Sequence, residues 1–476
     1  MNATLRSAAT LLLIAAPAAL AQPPKYDPKD PAGIWEGPLK AGAIELRIAF
    51  KIAKDKDGKL TATLDSIDQG AKDVPCTEVS FAEGKLSVEI AKGKAKYAGK
   101  MSDDGSTIKG HFEQGGAKLE LDLKRVEKLS TVNRPQHPKK PYPYEEAQVE
   151  FENAAGKFKL AGTLTLPKGD GPYPAVVLVS GSGPQDRDET LLGHKPFLVI
   201  ADHLTRKGFA VLRYDDRGVG KSGGKHDTAT SADFATDAFA AVQYLGMRKE
   251  IDAKRIGVMG HSEGGLIAPI VAAEHPKDVA FIVLLAGPGV PGDEVLLLQQ
   301  QVISKTMGAK PEAMKLSENL MKAILPAAKE PGPADERKKK IEKAAAEFFE
   351  KLPAEDKKRL GDDVKNAQAG VATLSSIWMQ YFLAFDPRPT LAKVKCPVLA
   401  INGELDLQVV PDQNVAAIEK AVKAGGNDRV TTKVFPKLNH LFQKSKTGAP
   451  NEYGQIEETF SPEALEFIAE WLLKLK

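Results

Sequence analysis

Between residues 147 and 476, short apolar runs alternate with helical stretches, and this rhythm constrains the fold more than any other feature of the chain. The runs 175–180, 210–214, 255–260, 281–286 and 397–402, with a further strand at 431–435, carry apolar residues at consecutive positions instead of every second one. A strand of that kind must be covered on both faces, which predicts a mostly parallel sheet with helices on both sides. Two strands at 147–152 and 159–166 precede it and bring the expected total to eight. Between 286 and 386 the strands stop. Residues 288–385 read as helical, and 334–351 places Ile341, Ala345, Phe348 and Phe349 at helical spacing. An all-helical insertion between two strands reads as a lid over the carboxyl end of the sheet, where such sheets bind ligands. The run Arg337-Lys338-Lys339-Lys340 within it is flanked by Glu336, Glu342 and Glu347 and reads as a solvated face.

The preceding part has a different texture. Residues 32–127 consist of short alternating runs such as Lys85-Leu86-Ser87-Val88-Glu89-Ile90, separated by turn signals such as Asp57-Gly58 and Asp104-Gly105. About eight such strands predict a small antiparallel β-barrel or sandwich, an accessory domain without a catalytic constellation. Its opening, Gly33-Ile34-Trp35-Glu36-Gly37, resembles the start of lipocalin-like barrels. Residues 128–146 hold Pro135, Pro138, Pro141 and Pro143 and read as a stiff linker, leaving 147–476 as the α/β domain. Residues 1–21 read as a signal peptide: Arg6, a small apolar run, then Ala19-Leu20-Ala21 before Gln22. The run is shorter than the roughly 20 residues that span a bilayer, so the expectation is export to the periplasm or medium with no membrane span.

Composition removes several classes. Lys+Arg 66 against Asp+Glu 63 leaves a formal charge of +3, which gives no reason to expect nucleic acid as a partner. Two cysteines, Cys76 and Cys396, cannot build a disulfide framework or a cysteine metal site. There is no H-E-x-x-H, and neither metal nor cofactor is expected.

Gly260-His261-Ser262-Glu263-Gly264 lies between a strand and a helical stretch. A serine that presents its Oγ to a substrate needs such a tight strand-to-helix turn, with flanking glycines to avoid collisions and a helix N-terminus to favour developing negative charge. A second match, Gly220-Lys221-Ser222-Gly223-Gly224, follows Asp215-Asp216-Arg217 instead of a strand, so context selects Ser262. The same stretch imitates a dinucleotide fingerprint without opening a helix. A nucleophilic serine needs a base, and the base an orienting acid. Of eight histidines only His440 follows the last strand, where the base is expected; His261 reads as a packing residue. For the acid, Glu404 and Asp406 are both candidates. Asp406 is favoured, because the loop must travel beyond the strand before its carboxylate meets the histidine, and Asp386 reads as a turn residue. Two backbone N–H groups should stabilise an oxyanion: that of Glu263 and one from Ser180-Gly181-Ser182-Gly183-Pro184, with Ser182 preferred and Gly183 the alternative. Trp378, Tyr381 and Phe382, at the return of the lid, are the candidate substrate pocket.

Tyr214 to Ser222, Gly260 to Gly265, Gly403 to Asp406 and Asn439-His440 together resemble the α/β-hydrolase superfamily, over about residues 147–476. Within it the chain resembles the bacterial carboxylesterase and serine aminopeptidase-like branch, several members of which carry Gly-Ser-Gly-Pro-x-Asp-Arg-Asp as Gly181 to Asp188 does here. The resemblance implies Ser262, Asp406 and His440 as a catalytic triad, and a structural role for the Asp215–Ser222 loop through Arg217. Ser180-Gly181 stands where many relatives have His-Gly, which leaves the second oxyanion donor open. The implied activity is carboxylic ester hydrolysis by acyl transfer on a small-molecule substrate. A peptidase would use the same triad and need Glu263 or Asp186 to hold an amine. An inert ligand binder is the third reading.

Overall fold

The computed structural model describes residues 26–41, 44–68, 70–91, 95–114, 117–359 and 373–475; the expected signal peptide lies outside them. Two compact units result, one running through Ser130 and the other made of Thr131–Lys476 with the short stretch Asp68–Gly70.

The first unit is one antiparallel sheet of β1 (Gly33–Ala41), β2 (Ile44–Lys54), β3 (Leu60–Ser66), β4 (Ala71–Pro75), β5 (Glu78–Ala82), β6 (Lys85–Ile90), β7 (Ala95–Met101), β8 (Thr107–Gln114), β9 (Ala117–Glu120) and β10 (Leu123–Val126). Alternation does what it predicts: along β6, Leu86, Val88 and Ile90 are buried while the residues between them are not. The strand order starts at β4 and ends at β5, yet Val74 and Phe81 from those two ends pack on one core with Trp35, Phe50 and Tyr97, so the sheet curls around that core. The run 118–123 alternates apolar and charged residues as a single strand would, yet it is split between β9 and β10. At the break Gly37 approaches the Asp122 carbonyl so closely that a Cβ would stand 2.0 Å from its oxygen.

The second unit is a sheet of β11 (Glu145–Asn153), β12 (Phe158–Leu166), β13 (Tyr173–Val179), β14 (Ala210–Tyr214), β15 (Ile251–His261), β16 (Phe281–Leu285), β17 (Val398–Gly403) and β18 (Val430–Phe435), in the order β11-β12-β14-β13-β15-β16-β17-β18. β11, β12 and β14 pair antiparallel, and β14 through β18 pair parallel. Five consecutive residues of β13 are buried, Ala175, Val177 and Val179 in one core and Val176 and Leu178 in the other. Helices α1 (Pro196–Arg206), α2 (Ser231–Gly246) and α3 (Glu263–Glu274) follow β13, β14 and β15. β18 departs from the expected double burial: it is the edge strand and mostly half-exposed.

After β16 the chain forms α4 (Gly292–Thr306), α5 (Pro311–Lys329), α6 (Ala334–Glu350), α7 (Ala354–Arg359), α8 (Ile377–Ala384) and α9 (Arg388–Leu391); α10 (Pro411–Ala424) and α11 (Pro462–Leu473) complete the unit. Leu320, Ile324, Ile341 and Leu383 give the inserted helices their own small core. Arg337 is not part of a solvated face. It is buried, and its guanidinium donates to the carbonyls of Ser375 (2.8 and 3.0 Å), Gly332 (2.8 Å) and Glu330 (3.2 Å). Within the proline-rich segment, Arg134 donates to the Ile456, Gly454 and Leu192 carbonyls and Gln136 to that of Phe460.

The loop after β14 is a brace. Arg217 donates from Nε to Asp237 Oδ2 on α2 (2.6 Å) and lies over the Phe158 and Phe234 rings. Ser222 is buried, donating to the Asp215 carbonyl (2.6 Å) and accepting from the Ala161 N–H (2.9 Å), which removes it as a nucleophile. Breaking a buried ion pair from one side strands the remaining charge. Arg217→Met should therefore lower unfolding stability by about 3 kcal/mol in chemical denaturation; a loss within experimental error would show that the pair carries no net stability.

Candidate active site

Ser262 sits between the last residue of β15 and the first of α3 with φ 53° and ψ −115°. A side chain in that region costs on the order of 1–3 kcal/mol, which the surrounding packing must supply. The flanking glycines explain how it is tolerated. A Cβ at Gly260 would stand 1.9 Å from the Gly264 carbonyl oxygen, and one at Gly264 would stand 2.2 Å from that of Val179. The Ser262 N–H is fixed by the Leu285 carbonyl at 2.8 Å. α3 runs from this point into the core, so its N-terminal partial charge points at the serine.

His440 Nδ1 and Asp406 Oδ2 are 2.8 Å apart, both side chains almost wholly buried. Asp406 Oδ1 accepts the Gln408 and Val409 N–H groups at 2.8 and 2.9 Å, so the carboxylate is held from both sides. The rival carboxylates lie elsewhere. Glu404 accepts the Lys437 N–H at 3.0 Å, and Asp386 pairs with Arg388 at 2.8 Å.

The loop after β13 approaches the serine from the other side. A Cβ at Gly181 would stand 3.2 Å from Ser262 Cβ. The Gly181 N–H donates to Glu189 Oε1 (2.7 Å) and is thereby committed. Ser182 and Glu263 border the same cavity as Ser262 and His440, whereas Gly183 does not. Asp216 underpins this loop, accepting from Ser180 Oγ (2.6 Å) and the Gln185 N–H (2.9 Å).

The cavity encloses about 300 Å³. Its walls are largely apolar, with Leu191, Val295, Leu296, Met379, Phe382 and Leu441 among them. Trp378 and Phe382 line it and stack on each other with centroids 5.6 Å apart. Tyr381 does not line it: one helical step away on α8, it stacks on Phe385 instead (5.3 Å). Trp378 Nε1 also donates to Glu263 Oε1 (2.8 Å), which Ser231 Oγ reaches at 2.6 Å. Burial pushes the Glu263 carboxyl up despite these bonds and one from Ser182. Sequence reasoning missed Val295, Leu296 and Met379, whose apolar character is indistinguishable from lid core, and it missed Glu189 altogether. His261, expected as packing, borders the cavity and is hydrogen-bonded at both ring nitrogens.

Among the described residues no group of three or more His, Cys, Asp or Glu is placed to hold a metal, and no helix is long and apolar enough to cross a membrane. Cys76 and Cys396 are free thiols pushed up to about 11 by burial.

Burial also raises the Asp216 carboxyl, to about 8, with the nearby Glu263 and Glu189 adding to the effect and the Ser180 and Gln185 hydrogen bonds opposing it. A carboxyl that holds its proton more tightly folded than unfolded gives stability below its unfolded value of 3.8, lost as pH rises through about 8. Asp216→Asn should flatten the pH dependence of unfolding between about pH 4 and 8 and be the more stable protein at the upper end. Parallel stability–pH curves for the two proteins would contradict this.

The family model described as alpha/beta hydrolase fold matches residues 174–447. Esterase EstD of Thermotoga maritima is 30% identical over 342 residues, covering 70% of this chain and 69% of that protein. Among solved structures, the Pyrococcus furiosus esterase Pf2001 is 20% identical with a TM-score of 0.42, over 73% of this chain and 99% of that one. The Pseudomonas aeruginosa hypothetical protein PA2218 is 18% identical with a TM-score of 0.42, over 74% and 100%.

Proposed function

The chain belongs to the α/β-hydrolase family, and we propose that within it this protein is a serine esterase that cleaves carboxylic esters through an acyl-enzyme. The observation that carries the proposal is the buried Asp406–His440 hydrogen bond, with the imidazole bordering the same cavity as a serine held at positive φ. Ser262 Oγ attacks the ester carbonyl carbon as its proton passes to His440 Nε2. The Glu263 and Ser182 N–H groups receive the developing oxyanion. Asp406 holds the Nδ1–H tautomer and steadies the imidazolium. His440 then protonates the departing alkoxide, and a water, deprotonated by the same nitrogen, releases the acid and restores Ser262.

An ester is favoured over a peptide amine by the state of the two acidic side chains a peptidase would need. Glu263 is spent on Ser231 and Trp378, and Asp186 Oδ1 accepts the Asp188 and Thr190 N–H groups at 3.0 Å each. The apolar walls and a volume at the small end of ligand pockets suit a short acyl or aromatic group. The relative named as an esterase points the same way.

Purified protein should hydrolyse short p-nitrophenyl esters faster than aminoacyl-nitroanilides, and a fluorophosphonate should label Ser262. Ser262→Ala should lower turnover by on the order of 10⁶-fold. Turnover retained in that variant would remove Ser262 as the nucleophile. We further propose that the protein is exported with its leader removed; the mature chain, recovered outside the cytoplasm, should begin at Gln22 by mass spectrometry, and protein found only in the cytoplasm with Met1 intact would refute it.

A further inference from the structure

His261, the residue before the nucleophile, is flanked by two acceptors. Its Nδ1 is 2.9 Å from Glu189 Oε1 and its Nε2 is 3.0 Å from the backbone carbonyl oxygen of His440. A carbonyl oxygen cannot donate, so Nε2 carries a proton. An ionised carboxylate can only accept, so toward a Glu189 carboxylate Nδ1 is the donor of the second bond as well. An imidazole that donates from both nitrogens is an imidazolium. Its ring centroid lies 4.8 Å from that of His440. Both members of the pair are buried, and Glu189 is held at φ 52°, a backbone region that side chains rarely adopt. That strain is maintained in the residue that directly follows the Gly181–Asp188 motif of the oxyanion loop.

We propose that Glu189 and His261 are a positioning pair for acyl transfer: a carboxylate–imidazolium couple that ties the oxyanion loop to the loop carrying His440. The proposal rests on the serine esterase reading above. The chain of bonds is continuous. Gly181 N–H donates to Glu189, His261 donates to Glu189, and His261 donates to the His440 carbonyl. One end fixes the residue next to Ser182; the other fixes the backbone of the histidine whose ring Asp406 orients. The couple also answers an electrostatic problem. A lone carboxylate beside Gly181 would oppose the negative charge that forms at the oxyanion, and the imidazolium cancels it.

The charged groups facing the pair agree. Glu189 approaches His261 from the loop after β13, with Asp216 near Glu189, and His440 and Asp406 approach from the loops after β18 and β17. Glu263, the other acidic neighbour, turns away to Ser231 and Trp378. Burial works against the charged ring, but the Glu189 carboxylate and the two hydrogen bonds outweigh it and hold His261 above its ordinary value. Its share of the active arrangement is therefore complete below the ordinary histidine value of 6.5 and is lost as pH rises through the raised one.

The test compares wild type with Glu189→Gln, His261→Gln and the double variant, using p-nitrophenyl ester kinetics against pH, fluorophosphonate labelling rates and melting temperatures. Glu189→Gln keeps the side chain's shape and an acceptor for Gly181 but removes the charge. It should lower kcat and the labelling rate by about tenfold or more with KM within about twofold. The alkaline limb of its kcat/KM profile should move to lower pH, because His261 loses the partner that keeps it protonated. The double variant should be no slower than the slower single one, since both remove the same couple. A Glu189→Gln protein that labels at the wild-type rate with an unmoved alkaline limb overturns the proposal. So does a rate loss that merely follows a lowered melting temperature while the limb stays in place. Failure of wild type to label at Ser262 would instead overturn the esterase reading, which keeps the two apart.

Discussion

The positive φ of Ser262 is the constraint to which the rest of the second unit answers. Gly260 and Gly264 leave room for the turn, β15 delivers it to the carboxyl edge of the sheet, and α3 departs from it directly into the core. The strain is affordable because β15 lies in the sheet interior between β13 and β16, with helices over both faces. Central placement holds the turn rigid for the proposed chemistry, and the long run of doubly buried strands provides that placement.

Three acidic side chains belong to the candidate site, and their environments set them apart. Asp406 is held by two N–H groups and an imidazole. Glu189 meets the His261 ring and a glycine N–H. Glu263 is buried against a hydroxyl and an indole, and its carboxyl is pushed up. In the proposed mechanism similar functional groups thus serve orientation, charge compensation and attachment of the lid, the differences arising from partners and burial.

Much of this was legible in the sequence because the signals are local. Continuous apolar runs marked the doubly covered strands, glycines marked the serine turn, and the order of motifs selected His440. The choice of Asp406 over Glu404 rested on loop reach, and the structure gives Glu404 to the Lys437 N–H. What could not be read depends on distance in the chain or on helix phase. Glu189 and His261 are 72 positions apart, and nothing near either announces the other. Arg337 sits in a basic run whose neighbours face water, and only the position of the Ser375 carbonyl separates it from them. On α8, Trp378, Met379, Tyr381 and Phe382 are all bulky, so periodicity does not say which of them face the cavity; Tyr381 turned out to stack on Phe385.

The inserted helices carry a core of their own, and Arg337 staples α6 to the carbonyl of Ser375, just ahead of α8. A cover assembled in this way behaves as a cartridge. The side chains it lends to the cavity, from Val295 and Leu296 on α4 to Met379 and Phe382 on α8, can be exchanged without disturbing the strands that carry Ser262, Asp406 and His440. In the proposed esterase, acyl preference and bond-breaking machinery are thereby written on separate modules of one polypeptide, free to evolve at different rates.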